Sequence, residues 1–152
     1  MIRPTALAQT AFALCLASPA LAQEIGACED YRSNVAMLAE PWEENTKIFA
    51  EGAVRLALID TFEPAAAPFH LVILSPPYDE LGFGQCKLVS GEGGMGFSGL
   101  NVAATEAEYD PAKGLMFTIP ASRWLMETDT YEDAVLHVTL NQETGEIVAV
   151  LE

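Results

Sequence analysis

Basic residues are scarce in this chain. Its 152 residues include 7 lysines and arginines against 22 aspartates and glutamates, and the formal net charge is −15. This balance repels the phosphates of nucleic acids and anionic lipid head groups, so we expect no nucleic-acid partner. The acidic residues are scattered along the sequence. Solubility is their simplest role, although a cationic partner or a divalent ion would also suit such a surface.

Histidine and cysteine are also rare, with two and three residues respectively. No HxH, HExxH, EF-hand or CxxC spacing occurs, and G-x-S-x-G is absent, so the sequence contains no recognisable metal, redox or serine-nucleophile motif. His70 and His137 lie in predicted strands. A hydrogen-bonded sheet residue and a solvated surface residue are their ordinary roles. We therefore predict no metal site, no cofactor and no catalytic residues.

The longest apolar stretch lies at the N terminus and has the order of a secretory signal peptide. Arg3 gives a positive start, residues 11–17 an apolar middle, and residues 20–22 (ALA) a small-x-small pattern. We predict a signal peptide over residues 1–22, cleaved between Ala22 and Gln23; the alternative is a buried N-terminal helix. No later run reaches the roughly 20 apolar residues of a spanning helix, so the mature chain is predicted to be periplasmic or secreted, without a transmembrane segment.

Removal of this segment changes both the charge and the cysteine count. The mature chain would carry 6 lysines and arginines against 22 acids, a net charge of −16, and would lose Cys15. The remaining Cys28 and Cys86 are predicted to form a disulfide, since two cysteines in an exported protein usually pair. The bond would close a loop of roughly sixty residues and contribute about 4 kcal/mol in the chain-entropy model.

One helix is predicted, over residues 28–39. A helix with 3.6 residues per turn would carry on one face the apolar residues Cys28, Tyr31, Val35 and Leu38. Pro41 would end it, because the residue before a proline avoids the helical conformation. The predicted disulfide would then pin this helix to the strand that carries Cys86.

The rest of the chain alternates between apolar and polar residues with the period of strands. The most apolar strand candidate is 69–75, which we place at the centre of the sheet; residues 75–79 (SPPYD) are predicted to be its exit turn. Residues 134–141 and 147–151 predict a terminal hairpin, with Gly145 in the left-handed conformation. The other candidates are 53–60, 85–90, 100–105 and 115–120.

These elements predict a single α+β domain over residues 23–152. It would contain seven or eight mainly antiparallel strands, as a curved sheet or sandwich, with the N-terminal helix pinned against it. The alternative is an all-β sandwich in which the helix is a peripheral addition.

Candidate contact residues lie in turns and at exposed aromatic positions. Tyr78 and Asp79 follow the central strand. Trp42 and Trp124 would stack on a ligand if exposed, or pack on the core edge if not. The glycine-rich stretch 91–99 (GEGGMGFSG) is read either as a flap over a site or as a hairpin loop whose glycines serve geometry.

Two functions remain open at this point. The first is a non-catalytic exported module that binds a protein or a small ligand. The second is a small hydrolase or isomerase whose acids and histidines converge only in the fold. A pocket that holds His70 or His137 within hydrogen-bond reach of a carboxylate would favour the enzyme. An exposed apolar patch with both histidines isolated would favour the binding module.

Overall fold

A computed structural model describes residues 22–152, and the predicted signal peptide lies outside the described residues except for Ala22. The strands are β1 Glu24–Ala27, β2 Thr46–Phe49, β3 Val54–Asp60, β4 Phe69–Tyr78, β5 Gly84–Ser90, β6 Gly99–Leu100, β7 Glu106–Asp110, β8 Gly114–Leu125, β9 Thr130–Leu140 and β10 Ile147–Leu151. One short α-helix, α1, covers Trp42–Asn45. Four 3₁₀ helices cover Tyr31–Ser33, Val35–Met37, Ala50–Gly52 and Glu92–Gly94.

The strands form two five-stranded antiparallel sheets. The first sheet has the order β1-β5-β4-β3-β2, and the second has the order β10-β9-β8-β6, with β7 also paired to β8. Strands β1 to β5 all belong to the first sheet, and strands β6 to β10 all belong to the second. The segment between β5 and β6 therefore connects the two sheets. The mainly antiparallel sheet predicted from the sequence is confirmed.

One hydrophobic core lies between the two sheets. Alternate residues of each strand point inward, as the period of two requires. The rings of Phe49 and Phe117 meet edge to face with centroids 4.9 Å apart. The central buried side chains are Val54, Leu56, Leu58, Leu71, Ile73, Val89, Phe117, Ile119, Leu136, Val138 and Leu140. Because both sheets bury an inner face against each other, the architecture matches the all-β sandwich that the sequence offered as its alternative.

The helix predicted over residues 28–39 is wrong. Two 3₁₀ helices, Tyr31–Ser33 and Val35–Met37, occupy the region and are separated by extended backbone at Asn34 (φ −67°, ψ 135°). Side-chain oxygens cause this break. Asp30 accepts a hydrogen bond from the backbone N–H of Arg32, and Asn34 accepts one from the N–H of Ala36, both at 2.9 Å. Such local bonds compete with the helical pattern.

The apolar spacing of this region therefore does not define a buried helix face. Tyr31 and Val35 are 66% and 71% exposed. Residues 28–39, called here the cover segment, instead lie across the outer face of the first sheet. Leu38 forms a bridge to Ile59, and the N–H of Ala39 donates to the carbonyl of Leu58 at 2.9 Å.

The disulfide between Cys28 and Cys86 is confirmed, with Cα atoms 5.5 Å apart. It ties the start of the cover segment to β5. A second, smaller hydrophobic cluster forms under the segment, made of Ile59, Val72 and Leu88 with Cys28, Met37, Leu38, Ala57 and Cys86 packed against them. The disulfide thus pins an irregular segment to the sheet, where a helix had been expected.

Local turn predictions have mixed outcomes. The terminal hairpin is present as β9 and β10, and Gly145 has φ +78°. The exit turn predicted at 75–79 is wrong in its position, because β4 continues to Tyr78 across a register shift between Ser75 and Tyr78. The strand predicted at 100–105 is much shorter in the structure, where β6 covers only Gly99–Leu100. No helix in residues 22–152 has the length and apolarity needed to span a membrane.

Candidate functional site

A groove of about 750 Å³ opens between the two sheets at one end of the sandwich. Its walls come from four stretches that are far apart in the sequence, 64–67, 91–97, 123–126 and 151–152, together with Gln23. These stretches meet because β4 starts, and β5, β8 and β10 end, at this end of the molecule. The volume lies within the range of about 300–1,000 Å³ that is usual for small-molecule sites.

The glycine-rich stretch forms one wall of the groove. The N–H of Gly91 donates to the carbonyl of Met95 at 2.6 Å, and the N–H of Gly96 donates to the carbonyl of Ala67 at 3.0 Å. Phe97 and Phe69 exchange two backbone hydrogen bonds, of 2.7 and 3.1 Å. The stretch is therefore the crossing between sheets and is fastened to the start of β4; it is neither the hairpin loop nor a free flap.

Gly96 is required by this close approach. A Cβ atom at this position would overlap the carbonyl oxygens of Ala67 and Phe69. No side chain larger than hydrogen fits there unless the backbone of one segment moves. The glycine therefore fixes the distance between the crossing and β4, and with it one wall of the groove.

The lining of the groove is mainly apolar. Phe97 is 2% exposed and forms part of its floor with the buried Ala67. Trp124 is also among the lining residues, and its ring meets Tyr131 edge to face with centroids 4.8 Å apart. Met126, 77% exposed, lies beside it. An apolar cavity with an aromatic residue and a flexible methionine in its lining is suited to an apolar ligand.

Three charged residues line the same groove. Arg123 is already paired, since its Nε donates to Glu132 Oε2 at 2.7 Å and its Nη2 lies 2.5 Å from the same oxygen. Glu92 is exposed and contributes a carboxylate, whereas the carboxylate of Glu152 lies 3.8 Å from the Nε2 of His137. Because Glu132 offsets the charge of Arg123, the net charge around the groove is negative.

The buried histidine lies away from the groove lining, on the outer face of the first sheet. His70 is 2% exposed, and its Nδ1 is 2.9 Å from the Oγ of Ser90, which is equally buried. Burial, helped by the charge of Arg32 and opposed by that of Asp30, lowers the pKa of His70 from 6.5 to about 4. His70 is therefore neutral at pH 7.

Above His70, the cover segment holds an ion pair. Arg32 Nη2 lies 2.6 Å from Asp30 Oδ2, and Arg32 Nη1 donates to the carbonyl of Gly94 at 2.9 Å. The hydrogen bond from Arg32 lowers the pKa of Asp30. The carboxylate of Asp30 is thus engaged by arginine. The His70–Ser90 pair has the atoms of a catalytic dyad, but both residues are buried, so a substrate has no access to the serine oxygen.

The second histidine faces outward from the second sheet. His137 lines a small cavity of about 210 Å³ with Glu108, Thr118 and Thr139 among its neighbours. Its Nε2 is 3.8 Å from Glu152 Oε2, which is longer than a hydrogen bond. No group of three or more histidine, cysteine, aspartate or glutamate side chains within the described part of the chain is arranged to hold a metal ion.

The predicted contact residues are spread over the molecule. Trp124 lies at the groove. Tyr78 is the last residue of β4 and Asp79 follows it, about 30 Å from the start of this ten-residue strand. Asp79 has a structural role there, since its Oδ1 accepts the N–H groups of Leu81 and Phe83. Trp42 is 53% exposed in α1 and is not among the groove residues.

Sequence reasoning found two parts of this groove and missed the others. The glycine-rich stretch and Trp124 were both candidates, but nothing indicated that they meet. Arg123, Glu92 and Glu152 carried no distinguishing pattern. Only the pairing of β8 with β9 and the crossing from β5 to β6 bring these residues to one end of the sandwich.

No family model matches the chain, and searches of curated proteins and of solved structures found no similar protein. The function must therefore be argued from the geometry of the groove and of the two histidines.

Proposed function

We propose that this protein is an exported, non-catalytic binding module that takes a small, largely apolar ligand into the groove between its sheets. The groove itself carries the proposal: about 750 Å³ of space with a mainly apolar lining in a small β-sandwich. The disulfide is compatible with export, because such bonds persist in oxidising compartments.

The hydrolase or isomerase alternative has less support. His70 is buried and bonded to a serine, and His137 is 3.8 Å from the Glu152 carboxylate. A general base needs a hydrogen bond, direct or through one water, to the proton that it removes. Neither histidine lines the large groove. A binding role requires none of these groups.

Binding can be followed through Trp124 alone. The variant W42F removes the other tryptophan, so that the remaining tryptophan fluorescence reports on Trp124 in the groove lining. Titration with decyl maltoside below its micelle-forming concentration is expected to change the intensity of this fluorescence in a saturable way. The maltoside has an uncharged head group, so its binding tests the apolar groove independently of charge.

A matched pair of variants shows whether binding occurs in the groove. A66F, made in the W42F background, places a large side chain in the lining and is expected to weaken binding at least tenfold. A112F makes the same change in the exposed turn between β7 and β8 and is expected to leave the affinity unchanged. Equal affinities of both variants, with far-UV circular dichroism unchanged, would contradict the proposed site.

A further inference from the structure

Two methionines are set apart from the others by their exposure. Four of the five methionines of the chain lie within residues 22–152. Met95 and Met126 are 49% and 77% exposed, whereas Met37 and Met116 are partly buried. Both exposed methionines line the groove, and no other methionine in the described part of the chain does. The methionine sulfurs that solvent reaches most easily therefore belong to the proposed binding site.

The two methionines come from different stretches of the groove lining. Met95 lies in the crossing between the sheets, where its carbonyl accepts the N–H of Gly91 at 2.6 Å. Met126 directly follows β8, in a turn that is closed by the N–H of Asp129, which donates to the carbonyl of Leu125 at 2.9 Å. Hydrogen bonds thus hold the backbone at both positions. A chemical change at both sulfurs would alter the lining from two directions.

The cysteines of the described residues do not compete for an oxidant. Cys28 and Cys86 are joined in the disulfide, so neither of them has a free thiol. A thiolate is the form of cysteine that oxidants attack, and a disulfide does not provide it. The thioether sulfurs of methionine are therefore the sulfurs left for a peroxide to oxidise in residues 22–152.

Oxidation by hydrogen peroxide transfers one oxygen atom and two electrons. A lone pair of the methionine sulfur attacks one peroxide oxygen, so that an S–O bond forms while the O–O bond breaks. The departing hydroxide takes the proton of the transferred oxygen and leaves as water. Sulfur is oxidised and the peroxide is reduced, and the product is a sulfoxide, which is polar where the thioether was apolar.

From the exposure of these two side chains and their place in the lining, we propose that Met95 and Met126 are oxidation sites through which peroxides close the groove to apolar ligands. An apolar ligand that covers a sulfoxide removes water from its oxygen, and this weakens binding unless another donor replaces the water. Methionine sulfoxide reductases restore the thioether, so the change is reversible. The inference rests on the proposed function and adds a means of regulating the same site.

Peptide mass mapping of W42F treated with hydrogen peroxide tests which methionines react. Met95 and Met126 are expected to gain oxygen at least about threefold faster than Met37 and Met116, in line with their exposure. The dose is chosen so that fragment spectra show no oxygen added to Trp124, which keeps the fluorescent reporter intact.

Titration with decyl maltoside then measures the effect on binding. Oxidised W42F is expected to bind the maltoside about tenfold more weakly than untreated W42F. In the same background, M95L/M126L keeps an apolar lining without sulfur, and its affinity should be the same before and after peroxide treatment. M37L/M116L is the matched control, which retains both groove methionines and should lose affinity on oxidation as W42F does.

The outcomes separate this inference from the proposed function. Equal oxidation rates for the four methionines overturn the inference and leave the groove as a binding site. So does an unchanged affinity of oxidised W42F, or an equal loss of affinity on oxidation of M95L/M126L. Failure of untreated W42F to bind the maltoside overturns the proposed function, and the regulation falls with it.

Discussion

The buried histidine makes the stability of this protein depend on pH, and the variant H70Q should remove most of that dependence. His70 is 2% exposed under the cover segment, with Ser90 bonded to Nδ1 and the Arg32–Asp30 pair close by. Its pKa is lowered to about 4 in the folded protein, against 6.5 for a solvated histidine. Glutamine keeps a hydrogen-bonding group near Ser90 but does not gain a proton in this range.

The sign and size of the effect of His70 on the free energy of unfolding follow from proton linkage. Between pH 6.5 and 4 the unfolded chain binds a proton at His70 that the folded chain does not, so the free energy of unfolding falls as the pH falls through this window. The two pKa values give a loss of about 2 kcal/mol at pH 5 and about 3 kcal/mol at pH 4. Above about pH 7 the loss is absent. The lowered pKa of Asp30 acts in the same direction, but only at lower pH, near and below 3.8.

Urea unfolding followed by tryptophan fluorescence at pH 7.5, 6, 5 and 4.5 measures this effect. The wild-type midpoint is expected to fall by about 1 M urea between pH 7.5 and 5 relative to H70Q, for a denaturant slope of about 2 kcal/mol per molar. The effect of His70 is the difference between the urea midpoints of wild type and H70Q at each pH, because other titrating groups change the stability of both proteins. H137Q removes the exposed histidine and should retain the wild-type pH dependence. If the urea midpoints of H70Q and the wild type change by the same amount between pH 7.5 and 4.5, the assigned burial and pKa of His70 are wrong.

Two further predictions concern the disulfide and the crossing between sheets. Replacing Cys28 and Cys86 with serine should lower the free energy of unfolding by about 4 kcal/mol, as expected for a closed loop with a sequence separation of 58; a loss below about 1 kcal/mol in urea unfolding would contradict this. G96A should cost about 2 kcal/mol, because its Cβ would overlap backbone atoms, including the Ala67 oxygen. G26A is the matched control, since its Cβ would meet only a backbone oxygen at 4.0 Å, and equal costs for the two variants would refute the argument.

The terminal hairpin and the disulfide could be predicted from the sequence, because each depends on neighbouring residues or on composition. The terminal hairpin combines strict alternation with a turn in which Asn141 accepts backbone N–H groups and Gly145 adopts positive φ. The disulfide followed from the count of cysteines and the expected compartment. Both arguments need only neighbouring residues or composition, and both describe the structure correctly.

The helix prediction failed because two signals conflicted and the weaker one was followed. The spacing of Cys28, Tyr31 and Val35 has the helical period, yet Asp30 and Asn34 are residues whose side chains bond to the backbone two positions on. A span of twelve residues is short enough for two such turns to replace the helix. The covalent bond to β5 and the bridge at Leu38 then hold the cover segment against the sheet.

The groove was beyond prediction from the sequence for a different reason. Its lining residues are spread along the chain from Gln23 to Glu152, and only the order of strands in each sheet places them together. The alternation of apolar and polar residues predicts which face of a strand is buried, but it does not predict which strand is its neighbour in the sheet. The residues that line the groove are therefore individually unremarkable, apart from Trp124 and the glycines.

The way in which the two sheets meet has a consequence for self-association. At one side Ala22 bridges to Val150, and at the other Lys47 donates to the carbonyls of Ala103 and Thr105, so neighbouring sheet edges cover each other. Strand β7 retains an open edge, and its sequence, EAEYD, alternates acidic residues. Carboxylates along an unpaired edge discourage another chain from adding a strand there. The acidic residues of β7 thus act against the addition of a further strand at this edge, and so against growth into aggregates.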